Sequence, residues 1–84
     1  MNKRKLLRKV LASPTNVRFD DMRGLVEAFG FQLLRTSGSH HIFSHPGVPE
    51  LVNLQEVDGE AKPYQIRQFL RLVERNNLEL GESE

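Results

Sequence analysis

Residues 31–57 read "FQLLRTSGSHHIFSHPGVPELVNLQEV", and this stretch decides the fold of the 84-residue chain. It contains three segments rich in apolar residues, FQLLRT, HHIFSH and LVNLQEV, which are separated by SGS and PGVPE. Short strands joined by glycine-containing turns are typical of antiparallel hairpins. The stretch therefore predicts a three-stranded antiparallel meander.

Helical periodicity flanks the predicted sheet on both sides. A basic helix is predicted over residues 2–12, and a second helix is predicted to begin with Asp20 as its N-cap and to stop at Gly30. After the sheet, Pro63 can occupy the first position of a last helix. The apolar positions of the three helices are Leu6, Leu7, Val10 and Leu11; Met22, Leu25, Val26 and Phe29; and Ile66, Phe69, Leu70 and Val73.

This order, α-α-β-β-β-α, predicts an α+β fold whose helices pack on one face of the sheet. We expect one domain over residues 1–84, with its core at residues 17–78 and a disordered tail at residues 79–84. Gly24 lies inside the second helix, where it costs about 1 kcal/mol relative to alanine. It indicates either local fraying or a close packing contact.

Composition excludes several classes of protein. The chain is 38% hydrophobic and 27% charged, which is ordinary for a globular domain, and it has no cysteine for disulfides or thiolate chemistry. No apolar run is long enough for a membrane span or a signal peptide, so we expect a cytoplasmic protein. The net charge is only +1, but cations are concentrated near the start. They form either a solvated helix surface or a phosphate-binding patch, made of Lys3, Arg4, Lys5, Arg8 and Lys9.

All three histidines of the chain, His40, His41 and His45, lie in the middle predicted strand. Strand residues alternate between faces, and Phe43 is the largest apolar residue of that strand, so we place it against the helices together with His41 and His45. His40 then lies on the uncovered side, called the open face below, with Ile42 and Ser44. Alternation in the outer strands predicts Phe31, Leu33, Val52 and Leu54 inward, and Gln32, Leu34, Thr36, Asn53 and Gln55 outward.

The three histidines do not form a convincing metal site, because neighbouring strand residues point to opposite faces and no cysteine or nearby carboxylate completes a ligand set. We expect no metal and no cofactor. A structural role at the sheet margin is the simplest interpretation of His41 and His45. His40 follows a tight glycine-containing turn and projects onto a polar surface, which makes it the candidate functional residue.

One family pattern covers most of the chain. The order FDDMRGLVEAFGFQLLRTSGSHHIFSHP, followed by GEAKPYQIRQFLRLVE, resembles the HicA family of bacterial toxins over roughly residues 17–78. Its most specific part is the step Gly38, Ser39, His40 after an amphipathic helix, a glycine and a strand. The opening of the last helix, KPYQIRQFL, supports it.

The resemblance implies a fold like the double-stranded-RNA-binding domain. It also implies an endoribonuclease that cuts messenger RNA, slows translation and growth, and is held inactive by a HicB antitoxin. The family's catalytic histidine corresponds to His40 alone, in an active-site turn that contains Gly38 and Ser39. The basic first helix departs from the shortest family members, so its role in binding RNA is argued only from its charge.

Cleavage of RNA without metal needs a base for the ribose 2′-OH, stabilisation of the phosphorane and an acid for the leaving oxygen. His40 suits the first or the last step, because a histidine with an ordinary pKa of about 6.5 can transfer protons near neutral pH. Candidates for the second proton transfer are His41, Tyr64 or solvent. Candidates for charge stabilisation are Arg35, Lys62 or backbone N–H groups of the turn.

Two further functions remain open at this point: a non-catalytic RNA-binding module with the same fold, and an adaptor whose open face binds only protein. His40 distinguishes the first of these from a nuclease, because phosphate contacts do not require a titratable group. Leu34 and Ile42 are apolar residues on the open face that an RNA backbone does not need. They predict that an antitoxin covers the same face as the RNA.

Overall fold

The computed structural model describes residues 2–81 of the chain. It contains, in order, α1 (Lys3–Ala12), α2 (Phe19–Ala28), β1 (Gln32–Ser37), β2 (His40–His45), β3 (Val48–Val57), β4 (Glu60–Ala61) and α3 (Pro63–Arg75). The strands form one antiparallel sheet in the order β1-β2-β3-β4. The predicted α+β class is confirmed, with helices against one face of an antiparallel sheet.

The prediction of three strands is wrong, because a short fourth strand follows β3. Val57 pairs with Glu60 across a two-residue turn in which Asp58 has φ 53° and Gly59 has φ 80°. Positive φ at both central residues defines a type I′ turn, and Asp-Gly is one of its preferred sequences. β4 has only two residues. A strand of that length is too short for an alternation pattern to indicate it.

β4 also fixes the start of α2. The Ala61 N–H donates to Val17 O at 3.0 Å, and the Phe19 N–H donates to Gly59 O at 2.8 Å. These bonds hold the chain before α2 in an extended conformation, so the helix begins at Phe19 with Arg18 as its N-cap. The prediction of Asp20 as the N-cap is therefore wrong. Asp20 lies in the first turn, where its charge is favourable to the helix dipole.

The other predicted helix ends are confirmed. The Asn2 side chain accepts from the Lys5 N–H at 2.9 Å at the start of α1, and Pro63 occupies the start of α3. Gly30 has φ 98° after α2, a conformation that favours glycine. Gly24 allows close packing: a Cβ there would lie 3.1 Å from the Nζ of Lys3, so α1 crosses α2 at this point.

The core lies between the sheet and the helices. Phe43 of β2 is fully buried at its centre. The inner positions of α3 differ partly from the prediction, because Gln65 and Leu72 are buried while Leu70 and Val73 are only partly buried. The remaining buried apolar side chains are Leu6, Val10, Val17, Phe19, Met22, Leu25, Val26, Phe29, Phe31, Val48, Val52, Leu54, Ala61, Ile66 and Phe69.

The tail after α3 is packed over its described part. Leu80 is partly buried against the core, and the Gly81 N–H donates to Ala28 O at 3.0 Å. Residues 79–81 thus begin the tail for which disorder was predicted, and the rest of that prediction falls on residues 82–84, which lie outside the described part of the chain. Within residues 2–81, no helix is both long enough and apolar enough to cross a membrane.

Candidate functional site

A tight turn between β1 and β2 positions His40. Ser37 pairs with His40 across the two-residue loop of Gly38 and Ser39. Gly38 has φ 60° and Ser39 does not have a positive φ, which is typical of a type II′ turn with glycine in its first central position. The Ser39 carbonyl accepts from the Glu56 N–H at 3.0 Å, so the turn is also bound to β3. The backbone at His40 is thus fixed from both sides.

The register of β2 and β3 places His40 on the open face. Phe43 lies opposite Val52, and both side chains are buried against the helices. Residues at odd spacing from Phe43 therefore point the other way. His40 pairs with Gln55, and Ile42 pairs with Asn53, so these four side chains share the open face. The predicted orientation of His40 is confirmed.

The ring of His40 has one specific partner. Its Nδ1 lies 3.2 Å from the side-chain oxygen of Asn53, and the His40 side chain is half-buried. A carbonyl oxygen can only accept a hydrogen bond, so Nδ1 carries the proton. In the neutral ring, the other nitrogen, Nε2, is then an unprotonated acceptor. The sequence placed Asn53 on this face but did not indicate the hydrogen bond.

The other two histidines have structural contacts. The His41 ring packs on Phe19 with centroids 4.6 Å apart, and its Nδ1 lies 3.2 Å from Ser39 O. The His45 ring packs on Phe31 with centroids 5.0 Å apart. Their side chains lie on the inner side of the sheet, as predicted. His41 therefore lies on the opposite side of the sheet from His40.

A β-bulge in β1 changes which residues lie on the open face. Leu33 lies opposite Phe43, but Arg35 lies opposite Ile42, so Leu34 is an extra residue in the ladder. Arg35 is therefore on the open face, diagonal to His40, a relationship that places Cα atoms roughly 7–8 Å apart. Bulges are frequent next to active sites, where they redirect a side chain.

The same bulge overturns one predicted orientation. Thr36 was expected on the open face, but it lies opposite His41 and therefore on the inner side of the sheet. The extra residue shifts the alternation by one position, and simple alternation from Phe31 cannot anticipate this shift.

Lys62 and Tyr64 lie at the start of α3, beyond β3. The Lys62 Nζ is 5.7 Å from the centre of the Tyr64 ring, and half of the Tyr64 surface is exposed. The neighbouring Gln65 is buried, and its side-chain oxygen accepts from the Gln55 N–H at 2.7 Å. This bond fixes the start of α3 beside the residue that pairs with His40. Arg35, by contrast, lies on the other side of His40, on β1.

The basic helix α1 is not brought together with His40. Leu6 and Val10 of α1 belong to the core, so the helix lies behind the sheet. Arg4 lines a groove of about 550 Å³ between α1 and α3, which Leu7 and Leu11 also line. The Lys3 side chain lies over Gly24. The cations of α1 therefore occupy the opposite side of the domain from the open face.

Within residues 2–81, no group of three or more histidine, aspartate or glutamate side chains is arranged to hold a metal ion. The site consists of a half-buried imidazole, its amide partner and a diagonal guanidinium on a shallow polar surface. Such a set can accept a proton and bind an anion. It suits an extended ligand that lies across the sheet.

Comparison with known proteins gives one match. The family model described as "HicA toxin of bacterial toxin-antitoxin" matches residues 19–74, which is 56 of the 84 residues. The matched segment begins at the first residue of α2 and ends one residue before the end of α3. Searches of the curated proteins and of the solved structures found no match.

The two adjacent histidines should differ in their effect on stability. Replacing His41 by alanine removes the ring packed on Phe19, and we expect a loss of about 1–2 kcal/mol in the free energy of unfolding. Replacing His40 by alanine should cost less, about 0.5–1 kcal/mol, because it removes one side-chain hydrogen bond on the open face and no contact with the core. Urea denaturation of both variants measures the difference. Equal losses, or a larger loss for His40→Ala, would contradict the structural role of His41.

Proposed function

The chain belongs to the HicA toxin family of bacterial toxin–antitoxin systems, and from that premise we propose that it is an endoribonuclease that cuts messenger RNA and so inhibits translation. The observation that supports this best is the His40 ring: one nitrogen is held by Asn53 and the other is left as an acceptor, on the side of the sheet without helices. The α+β architecture is also consistent with a fold like the double-stranded-RNA-binding domain.

The reaction uses His40 as the base. Its Nε2 takes the proton of a ribose 2′-OH, the 2′ oxygen forms a bond to the adjacent phosphorus, and the bond from phosphorus to the 5′ oxygen breaks. The leaving oxygen takes a proton from water, because His41 lies on the inner side of the sheet. The products are a 2′,3′-cyclic phosphate and a 5′-OH. With one histidine doing acid–base work, the enzyme is slow.

Arg35 is the group best placed to stabilise charge on the phosphate. The bulge at Leu34 puts its guanidinium on the same face as His40, on the neighbouring strand. A guanidinium can donate two parallel hydrogen bonds to phosphate oxygens. Donors already held near a developing negative charge are often the largest contribution to catalysis. Lys62, beyond β3, is a second cation that a longer RNA can reach.

The open face is expected to bind RNA mainly through phosphates. Single-stranded RNA is usually bound by stacking on aromatic side chains as well as by phosphate contacts. Phe19, Phe29, Phe31, Phe43 and Phe69 are all buried, and Tyr64 is the exposed aromatic residue of the described chain. We therefore propose weak sequence selectivity.

The second candidate function is a non-catalytic RNA-binding module. Arg35 and the other exposed cations could bind RNA phosphates in such a module equally well, with the same dependence of affinity on salt. It does not account for a histidine whose tautomer is set by a specific hydrogen bond on the binding face. The two functions differ in what His40 does, and this difference is measurable.

Replacing His40 by alanine should lower RNA cleavage by about 10²- to 10⁴-fold, the usual contribution of a general acid or base. The assay follows end-labelled RNA on gels in EDTA and identifies 2′,3′-cyclic phosphate ends by mass spectrometry. Thr36→Ala, on the other side of the sheet, is the matched control and should cleave normally. Unchanged cleavage by His40→Ala, or cleavage that depends on added divalent metal, would refute the assignment.

The salt dependence of RNA binding should separate the two groups of cations. Arg35→Ala should reduce the slope of log affinity against log salt by about 0.7 for one lost contact to a single strand. The α1 variant replaces Lys5, Arg8 and Lys9 by glutamine. Because α1 lies behind the sheet, this variant should reduce the slope only for RNA that is long enough to pass around the domain, which measures 30 × 26 × 22 Å. All binding variants also carry His40→Ala, so that the RNA is not cleaved during the binding measurement.

If the α1 variant changes the slope equally for short and long RNA, then the short strand binds behind the sheet and not on the open face. If it changes neither slope, the cations of α1 have no role in RNA binding and serve only as a solvated surface.

The protein partner proposed for this toxin is a HicB-like antitoxin that covers the open face. Leu34, the extra residue of the bulge next to Arg35, is 53% exposed, Ile42 is half-buried on the open face, and Val57 is 41% exposed toward the other edge of that face. A protein that packs on these side chains buries apolar area and excludes RNA at the same time. An acidic antitoxin is attracted by the same cation, Arg35, that binds phosphate.

Amide hydrogen exchange on the complex should show protection at residues 32–44 and around Asn53. These segments contain β1, the turn and most of β2, together with the part of β3 opposite Ile42. The free toxin is the control. Protection confined to the outer surfaces of α1 and α3, in a complex that still blocks cleavage, would show that the antitoxin does not act by covering the site.

A further inference from the structure

We propose that Asn53 is a positioning residue for His40: it holds the His40 ring in the tautomer that leaves Nε2 free to accept a proton. The inference deepens the proposed nuclease function and rests on it. The observation that supports it is the 3.2 Å distance between His40 Nδ1 and the Asn53 side-chain oxygen. Nothing in the Gly-Ser-His motif indicates this contact, because Asn53 follows it by thirteen positions and lies on another strand.

Asn53 is held firmly enough to act this way. It lies in β3 between Val52 and Leu54, which are 5% and 0% exposed. Its backbone pairs with Ile42, and the two flanking side chains are fixed in the core. The amide therefore projects from a rigid strand toward the ring, and not from a loop. Functional groups on strands are positioned more precisely than groups on loops.

The chemistry requires a defined tautomer. A neutral imidazole has one N–H and one lone pair, and it can exchange them between its two nitrogens. The hydrogen bond at one nitrogen decides which form is present. Here the amide oxygen accepts from Nδ1–H, so the lone pair stays on Nε2. In the Ser-His-Asp proteases, a partner change that stabilises the wrong tautomer lowers the rate by about 10⁴.

The other two histidines provide internal references for this assignment. His41 Nδ1 faces the Ser39 carbonyl at 3.2 Å, so it also carries the proton. His45 is the opposite case, because its Nδ1 accepts from the Gly47 N–H at 2.9 Å and the proton is on Nε2. One chain thus contains both tautomers in defined positions. Nitrogen chemical shifts distinguish the two forms directly.

The charged groups around His40 bear on the pH dependence. Arg35 of β1 shares the open face with it. Glu60 of β4 lies opposite Val57, on the same face but beyond β3. Glu56 pairs with the buried Ala61 and so lies on the inner side by alternation. The direct partner, Asn53, is neutral at all relevant pH values. It can fix the tautomer without adding a charge.

The experiment compares Asn53→Ala and Asn53→Asp with the wild type. Imidazole ¹⁵N shifts are recorded along a pH series, on the alkaline plateau where they no longer change with pH, and cleavage rates are measured as kcat, KM and a pH–rate profile. Gln55→Ala is the control for the nitrogen shifts, because it removes an amide from the position that pairs with His40 and leaves Asn53 in place. Circular dichroism confirms that each variant is folded.

In the wild type, His40 should show the Nδ1–H pattern of His41 and not the Nε2–H pattern of His45. Asn53→Ala should lose that pattern. Its kcat should fall by about 10- to 100-fold with little change in KM, which is the usual effect of removing a residue that orients a metal-binding histidine. Asn53→Asp should restore the pattern. Its carboxylate favours the protonated ring, so the acidic limb of the pH–rate profile should move to higher pH.

A His40 with the Nε2–H pattern, or nitrogen shifts that do not change in Asn53→Ala, would overturn the proposal. Changed shifts with an unchanged kcat would also overturn it, because the contact would then have no catalytic role. Absence of cleavage by the wild type would refute the proposed nuclease function instead, and the nitrogen shifts would still decide the tautomer.

Discussion

The burial of Phe43 is the constraint on which the site depends. Its side chain is fully buried between the sheet and the helices. Since side chains in a strand alternate with a period of two, a buried Phe43 forces His41 inward and His40 outward. A register slip of one residue would expose Phe43, which would cost roughly 1.5–3 kcal/mol. The orientation of His40 is therefore secured by the core.

Strict alternation alone would not assemble the site, because it would turn Arg35 away from His40. The extra residue Leu34 breaks the alternation in β1 and brings Arg35 to the open face. β1 is an edge strand, and its six residues are all exposed. An edge strand tolerates a bulge with little loss of core packing. The bulge at this edge also disrupts a row of backbone groups that could pair with another chain.

The sequence predicted much of this arrangement. The Gly-Ser-His step, the amphipathic helices and the burial of Phe43 were sufficient to place His40 on the open face, because each depends on local residue order and on a period of two or 3.6. The core residues of α2 and the role of Pro63 followed from the same patterns. The similarity to the HicA family was also recognisable from these motifs, and the family match covers the same region.

Three features could not be predicted from periodicity. The bulge in β1 changes the face of Arg35 and Thr36 without a sequence signal such as glycine at that position. The strand β4 is too short to show alternation, although its Asp-Gly turn is characteristic. The contact of His40 with Asn53 depends on the register between β2 and β3, which no local pattern specifies.

The choice of a neutral amide as the partner of His40 has an electrostatic reason. A carboxylate at this position would fix the same tautomer and hold it more strongly, because hydrogen bonds to charged groups are roughly twice as strong. It would also place a negative charge beside the RNA phosphate and the acidic antitoxin that we propose as ligands of the open face. Asn53 fixes the ring without this repulsion, and Arg35 keeps its full attraction for anions. For the two anionic partners proposed for this face, an asparagine is therefore more favourable than an aspartate, although it holds the ring less strongly.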